Sequence, residues 1–131
     1  MRPVVLDASV GVKWLKDEDG SADALELLRK HGAGEIALVV PDVFIFEILD
    51  VARRCFGMAI ASQLWERLKA EQIAVVPFGL SSFDEVVTLA ESLDCSTYDA
   101  AAVAVAHAIN AQLVSADKRA HASVVGVRII G

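Results

Sequence analysis

Proline and glycine are scarce, 3 and 8 residues in 131, which excludes collagen-like and low-complexity chains. Cysteine occurs only twice, at Cys55 and Cys95, with no C-x-x-C pair, so neither a disulfide framework nor a zinc knuckle is available. No apolar run approaches the ~18 residues of a membrane span. The richest stretch, Ala100 to Val114, is interrupted by His107, Asn110 and Gln112. The first residues, Met1-Arg2-Pro3-Val4-Val5-Leu6, reach Asp7 too early to form the apolar region of a secretory signal. Basic residues are in deficit, 12 Lys and Arg against 18 Asp and Glu, a net charge of −6. That disfavours general nucleic-acid binding, which phosphate neutralisation drives, but leaves room for a nuclease that gathers carboxylates around metal ions. The chain is 55% hydrophobic and 23% charged, which excludes disorder and is enough for one core. The expectation is a cytoplasmic, reduced protein with a single domain spanning residues 1–131.

Five short runs rich in β-branched residues punctuate the chain: Pro3–Leu6, Ile36–Val40, Ile73–Val76, Gln112–Ser115 and Val127–Ile130. Their near-continuous apolar character is that of strands covered on both faces. Helical patterns fill the gaps at Ser9–Lys16, Ser21–His31, Val43–Arg54, Ala59–Glu71, Ser82–Leu93, Tyr98–Ile109 and Lys118–Val124. This alternation predicts an α/β domain with a central parallel sheet of about five strands flanked by helices. Right-handed crossovers then align the strand C-terminal ends along one edge, where such sheets build their sites. Asp7, after the first strand, and Asp117, after the fourth, are the edge candidates.

Each acidic candidate also has a local explanation. Asp7 and Asp117 stand at strand-to-helix turns, where an aspartate caps a helix. Ser96 and Asp99 form an S-x-x-D capping box ahead of an Ala- and Val-rich helix. On a helical wheel Glu47 clusters with Asp50 and Arg54, opposite Phe44, Ile45, Ile48, Leu49, Ala52, Cys55 and Phe56. A solvated face with an Asp50–Arg54 pair would account for it, although Phe44 to Phe46 make its surroundings mostly apolar. Yet three of these four acids sit at a strand end or a helix start, which the topology gathers at one edge. Gathered carboxylates repel one another unless a cation stands between them, and that points to oxygen-seeking Mg²⁺ or Mn²⁺.

The ordered series Val4-Val5-Leu6-Asp7-Ala8-Ser9, Pro41-x5-Glu47, Tyr98-Asp99-Ala100-Ala101-x-Val103-Ala104 and Leu113-Val114-Ser115-Ala116-Asp117-Lys118 resembles a PIN domain. Within that superfamily it is most similar to the VapC-type toxins of bacterial toxin–antitoxin pairs. The resemblance implies a metal-dependent endoribonuclease, usually dimeric, neutralised by a small VapB-type antitoxin. It makes Asp7, Glu47, Asp99 and Asp117 the catalytic and metal-holding quartet, with Asp7 and Asp99 foremost as Mg²⁺ ligands, Mn²⁺ substituting. Ser9 and Ser115 are supporting residues; Ser115 stands where family members often have Thr, and Asp50 where many have Asn.

Lys13, Lys16, Lys118 and Arg119 follow the strand-end acids and are candidate contacts to RNA phosphates, a solvated surface role being the alternative. His31, His107 and His121 show no triad-like partners, and His107 reads as a packed or hydrogen-bonded residue on an apolar helix. Cys55 falls on an apolar helix face, and Trp14 and Trp65 read as core or partner contacts. Phe46 and Trp65 leave more apolar surface than a lone domain needs, which suggests a homodimer and a groove for an antitoxin helix. Two rival readings are a PIN-like RNA- or protein-binding module without catalysis and a phospho-receiver domain. The latter needs paired acids at the first strand end and a lysine closing the fifth strand, whereas Asp7 is followed by Ala8 and no such lysine is present.

Overall fold

The alternating burial of the first two long strands fixes the architecture. Val4 and Leu6 pack on one side of the sheet and Val5 on the other; Leu38 and Val40 repeat this against Val39. Both faces are therefore covered, which is why the strands read as unbroken apolar runs. The computed structural model describes residues 1–131. Its elements are β1 (Arg2–Leu6), α1 (Ala8–Val12), α2 (Ser21–Gly32), β2 (Ile36–Pro41), α3 (Asp42–Phe56), α4 (Met58–Glu71), β3 (Ala74–Val76), α5 (Leu80–Leu93), α6 (Thr97–Ala108), β4 (Gln112–Ser115), α7 (Lys118–His121) and β5 (Arg128–Ile129). No helix is long and apolar enough to cross a membrane.

All strand pairings are parallel, in the order β3-β2-β1-β4-β5. The chain runs outward from β1 through β2 to β3, then returns to build β4 and β5 on the opposite side. The order reverses between β1 and β4, and a crevice opens there beyond the strand C-terminal ends. The Asp7 amide donates to the Val114 carbonyl at 3.1 Å, so the β1–β4 pairing itself sets the position of Asp7.

On one face, Phe44 and Ile48 of α3 and Leu27 of α2 close the larger core. On the other, α6 buries every residue from Ala100 to Ala106, its alanines letting the helix lie close to Val5, Val39 and Leu113. Trp14 joins the first core edge-to-face with Phe44 at 5.9 Å, its indole N–H donating to the Ala24 carbonyl at 2.9 Å. His31 is a structural tie: its Nδ1 accepts from the Leu38 amide at 3.0 Å while Nε2 meets the Glu71 carbonyl.

Three expectations are corrected. The first helix stops at Val12 rather than Lys16, because the chain then turns and Lys13 is tied to Glu18 and Asp19. Cys55 is exposed, since the buried stripe of α3 consists of Phe44, Ile48 and Ala52 and ends before it. Of the two alternatives for His107, packing is the one that does not hold: the ring is exposed, with Nδ1 3.5 Å from the Glu85 carboxylate as its polar neighbour.

The α1–α3 contact depends on Gly11. A β-carbon there would stand 2.8 Å from Phe44 Cζ and 2.9 Å from Ile48 Cγ2, both buried in the core. Gly11→Ala is therefore expected to destabilise the protein by about 1–3 kcal/mol through overpacking, outweighing the ~1 kcal/mol gain in helix propensity. Urea unfolding reads this directly, and an unchanged midpoint would show that the contact yields.

A candidate acidic site at the sheet edge

Asp7 ends β1 and caps α1, its Oδ2 accepting the Ser9 amide at 3.0 Å. It is nearly buried, and burial pushes its carboxyl above the usual range against the opposing hydrogen bond from Ser9. Asp99 enters from the first turn of α6. Ser96 Oγ accepts the Asp99 amide at 3.0 Å, so the serine half of the capping box is formed. The Asp99 carboxylate, by contrast, takes no hydrogen bond or ion pair from the chain, so capping explains Ser96 and leaves Asp99 unexplained.

Glu47 reaches the same place from α3. Its carboxyl is half-buried and pushed up to about 7, by burial first and then by the charges of Asp7 and Asp99. Asp50, its expected neighbour, belongs elsewhere. It is exposed and holds Arg53 at 2.8 Å and Arg54 at 3.0 Å, which lower its pKa. The polar face of α3 is thus split, with Glu47 facing the crevice and Asp50 facing solvent.

Asp117 caps α7, its Oδ1 accepting the Ala120 amide at 3.1 Å. With Asp99 it lines an open cavity of about 380 Å³ that also includes Asp94, Cys95, Ser96 and Arg119. The structure therefore draws Asp7, Glu47 and Asp99 into mutual repulsion and sets Asp117 on the adjoining wall. None of the four has a lysine or arginine partner; every ion pair of the chain lies elsewhere.

Hydroxyls tie the turns beneath these acids together. Ser9 Oγ accepts the Ala116 amide at 3.0 Å, and Ser115 Oγ accepts the Asp117 amide at 3.0 Å. Of the basic candidates, Lys118 and Arg119 are exposed and free of ion pairs, and Arg119 lines the cavity. Lys13 is placed differently: its ammonium lies against the Asp19 carbonyl and Glu18 carboxylate and is committed within the chain.

Sequence reasoning passed over His121. It is fully buried, and one of its ring nitrogens lies within 4.8 Å of carboxylate oxygens of both Asp7 and Asp99. Its signal was position: four residues after Asp117, one helical turn returns its backbone to the Asp117 carbonyl, which its amide meets at 3.0 Å. The remaining donors are all carboxylate oxygens without a lysine or arginine partner, a set that fits a hard divalent cation.

A PIN domain family model matches residues 4–125. No curated protein matches the chain in sequence. Among solved structures, VapC20 of Mycobacterium tuberculosis, described as a sarcin–ricin loop cleaving toxin, superposes with a TM-score of 0.77 at 14% identity, over 95% of this chain and 98% of that one. A toxin–antitoxin complex from Klebsiella pneumoniae gives 0.73 at 14% identity, covering 95% of each chain. A DNA-bound VapBC from Salmonella typhimurium gives 0.71 at 13% identity, over 98% of this chain and 97% of that one.

Proposed function

We propose, from the premise that this chain belongs to the PIN domain family, that it is a divalent-metal-dependent endoribonuclease and the toxin of a toxin–antitoxin pair. The observation that carries this reading is the convergence of Asp7, Glu47 and Asp99 with no lysine or arginine to neutralise them. When bound, Mg²⁺ or Mn²⁺ supplies Lewis acidity at the scissile phosphodiester and neutralises the gathered charge. Asp7 and Asp99 are the residues to hold it, because a strand end and a buried helix fix them most firmly. Glu47, with a carboxyl pKa near 7, is suited to accept the proton of the attacking water at working pH. Asp117 and Arg119 border the adjoining cavity, and Arg119 and the exposed Lys118 offer contacts to the RNA backbone.

Single-stranded or looped RNA suits the open crevice, since its backbone bends toward a recessed site more readily than a duplex does. The protein free of any partner is expected to cut a looped or tRNA-like RNA with Mg²⁺ or Mn²⁺ and to stop in EDTA. Cleavage that persists under chelation rejects the metal-dependent reading. RNA binding without cleavage under any divalent ion favours the non-catalytic module.

The partner surface rests on α3 and α4. Between them lies a mostly apolar cleft of about 410 Å³ that includes Phe46, Met58 and Trp65, with Phe46 76% exposed. An amphipathic antitoxin helix would bury these side chains. A second apolar face, formed by Leu80, Phe83 and Val87 of α5, remains for another copy of the chain. Light scattering of the isolated chain is expected to give twice its 14.0 kDa mass, and a monomer at micromolar concentration removes the dimer.

A further inference from the structure

His121 lies close enough to Asp7 and Asp99 to be taken for a third metal ligand. Its hydrogen bonds argue otherwise. Nε2 stands 2.9 Å from the Asp99 carbonyl oxygen. A carbonyl has no proton to give, so Nε2 carries the hydrogen and donates it. Nδ1 stands 2.7 Å from Ser115 Oγ. That hydroxyl already accepts the Asp117 amide at 3.0 Å, and its own proton is free to turn toward Nδ1. Ser9 Oγ, 3.5 Å from Ser115 Oγ, extends the network to the turn that follows Asp7. Both ring nitrogens are thus occupied, the ring is fully buried, and no buried side-chain polar atom of the chain lacks a partner. To bind an ion, His121 would have to abandon either the Asp99 carbonyl or Ser115.

We propose that His121 is a positioning residue rather than a ligand: with its proton on Nε2, it joins the Asp99 carbonyl to the Ser115 hydroxyl and so sets the spacing of Asp99, Asp117 and Asp7. Three chain segments meet at this imidazole, namely the start of α6, the end of β4 and the single turn of α7. A four-residue helix does not hold its shape by propensity, so the ring fastens α7 as well as being placed by it. The effect on metal binding rests on the proposed function above; the hydrogen-bond pattern does not.

The test therefore has two arms. Long-range ¹H–¹⁵N correlation of the metal-free, ¹⁵N-labelled protein is expected to show the Nε2–H tautomer for His121, with Nδ1 as acceptor. The Nδ1–H tautomer overturns the proposal, whatever the protein does with metal or RNA. In the second arm Mn²⁺ is titrated into the parent, His121→Ala and His121→Gln. Glutamine places an amide donor near the Nε2 position and keeps the bond to Asp99. His121→Ala is expected to weaken Mn²⁺ binding by about 10-fold or more, and His121→Gln to recover it to within about 3-fold, as for groups that orient metal ligands. Electron spin-echo spectra of the Mn²⁺-loaded parent should show no directly bonded imidazole nitrogen. A bonded nitrogen signal, a glutamine variant no better than alanine, or an alanine variant that binds like the parent each overturns it. If His121→Ala does not fold, the glutamine variant and the parent spectra decide alone. A parent that binds no Mn²⁺ refutes the proposed function and leaves the tautomer result standing.

Discussion

Asp99→Asn is expected to abolish most RNA cleavage, by more than about 100-fold, a larger loss than removal of a group that only orients a ligand. Its metal-free melting temperature should at the same time equal or slightly exceed that of the parent. The two readouts separate because the Asp99 carboxylate makes no bond that folding uses. The helix cap belongs to Ser96 Oγ and the Asp99 backbone amide, both retained in the variant. What the substitution removes is one negative charge from a group that already raises the pKa of Glu47 and Asp7. Ser96→Ala is the complementary variant: it should cost about 1 kcal/mol of stability, as cap removal does, and leave the chemistry largely intact. If Asp99→Asn cleaves RNA like the parent and keeps its stabilisation by Mn²⁺, the acidic-site argument fails.

The sheet was legible because both of its faces are buried. Continuous apolar runs flanked by helical periodicity leave little choice of architecture, and all five strands lie within a residue or two of their expected limits. The strand-end acids were legible for the same reason, since the parallel topology sends Asp7 and Asp117 to one edge. Glu47 and Asp50 were not separable. Three residues apart on α3, they share a polar face on any helical wheel, and only the rotation of α3, set by Phe44 and Ile48 in the core, decides which faces the crevice. His121 was hidden for another reason. The partner of its Nε2 is a backbone carbonyl 22 residues upstream, and backbone acceptors leave no mark in a sequence. The partners of Lys13 are only five and six residues on, but no periodic pattern marks how the loop to α2 folds back on its ammonium.

The metal-free protein is expected to lose stability as pH rises from about 4.5 to about 7, and a divalent ion to reverse the loss. Glu47 has an ordinary carboxyl pKa of 4.5 when unfolded and about 7 in the fold. Between those values the folded state binds more protons than the unfolded one, so stability falls with rising pH and levels off above the folded pKa. Asp7, also raised, contributes with the same sign. Glu47 is only half-buried, so after allowance for solvent screening the effect of this one group is on the order of 1 kcal/mol. Glu47→Gln removes it: the metal-free variant should match the parent near pH 5 and exceed it by that amount at pH 8. Mn²⁺ acts in the opposite sense, because it binds the deprotonated carboxylates. At 100 times its dissociation constant at pH 8 it should add about 2.7 kcal/mol, or roughly 10 °C in melting temperature for a chain of this size, and less at the same concentration at pH 5, where Glu47 is protonated. In Glu47→Gln the stabilisation by Mn²⁺ should shrink. The measurement is a melting series across this pH range for both proteins, with Mn²⁺ and with EDTA. A parent-minus-variant difference that does not change with pH would mean that the Glu47 carboxyl is solvated and faces away from Asp7 and Asp99, and a Mn²⁺ shift of equal size at pH 5 and pH 8 would place the ion away from Glu47.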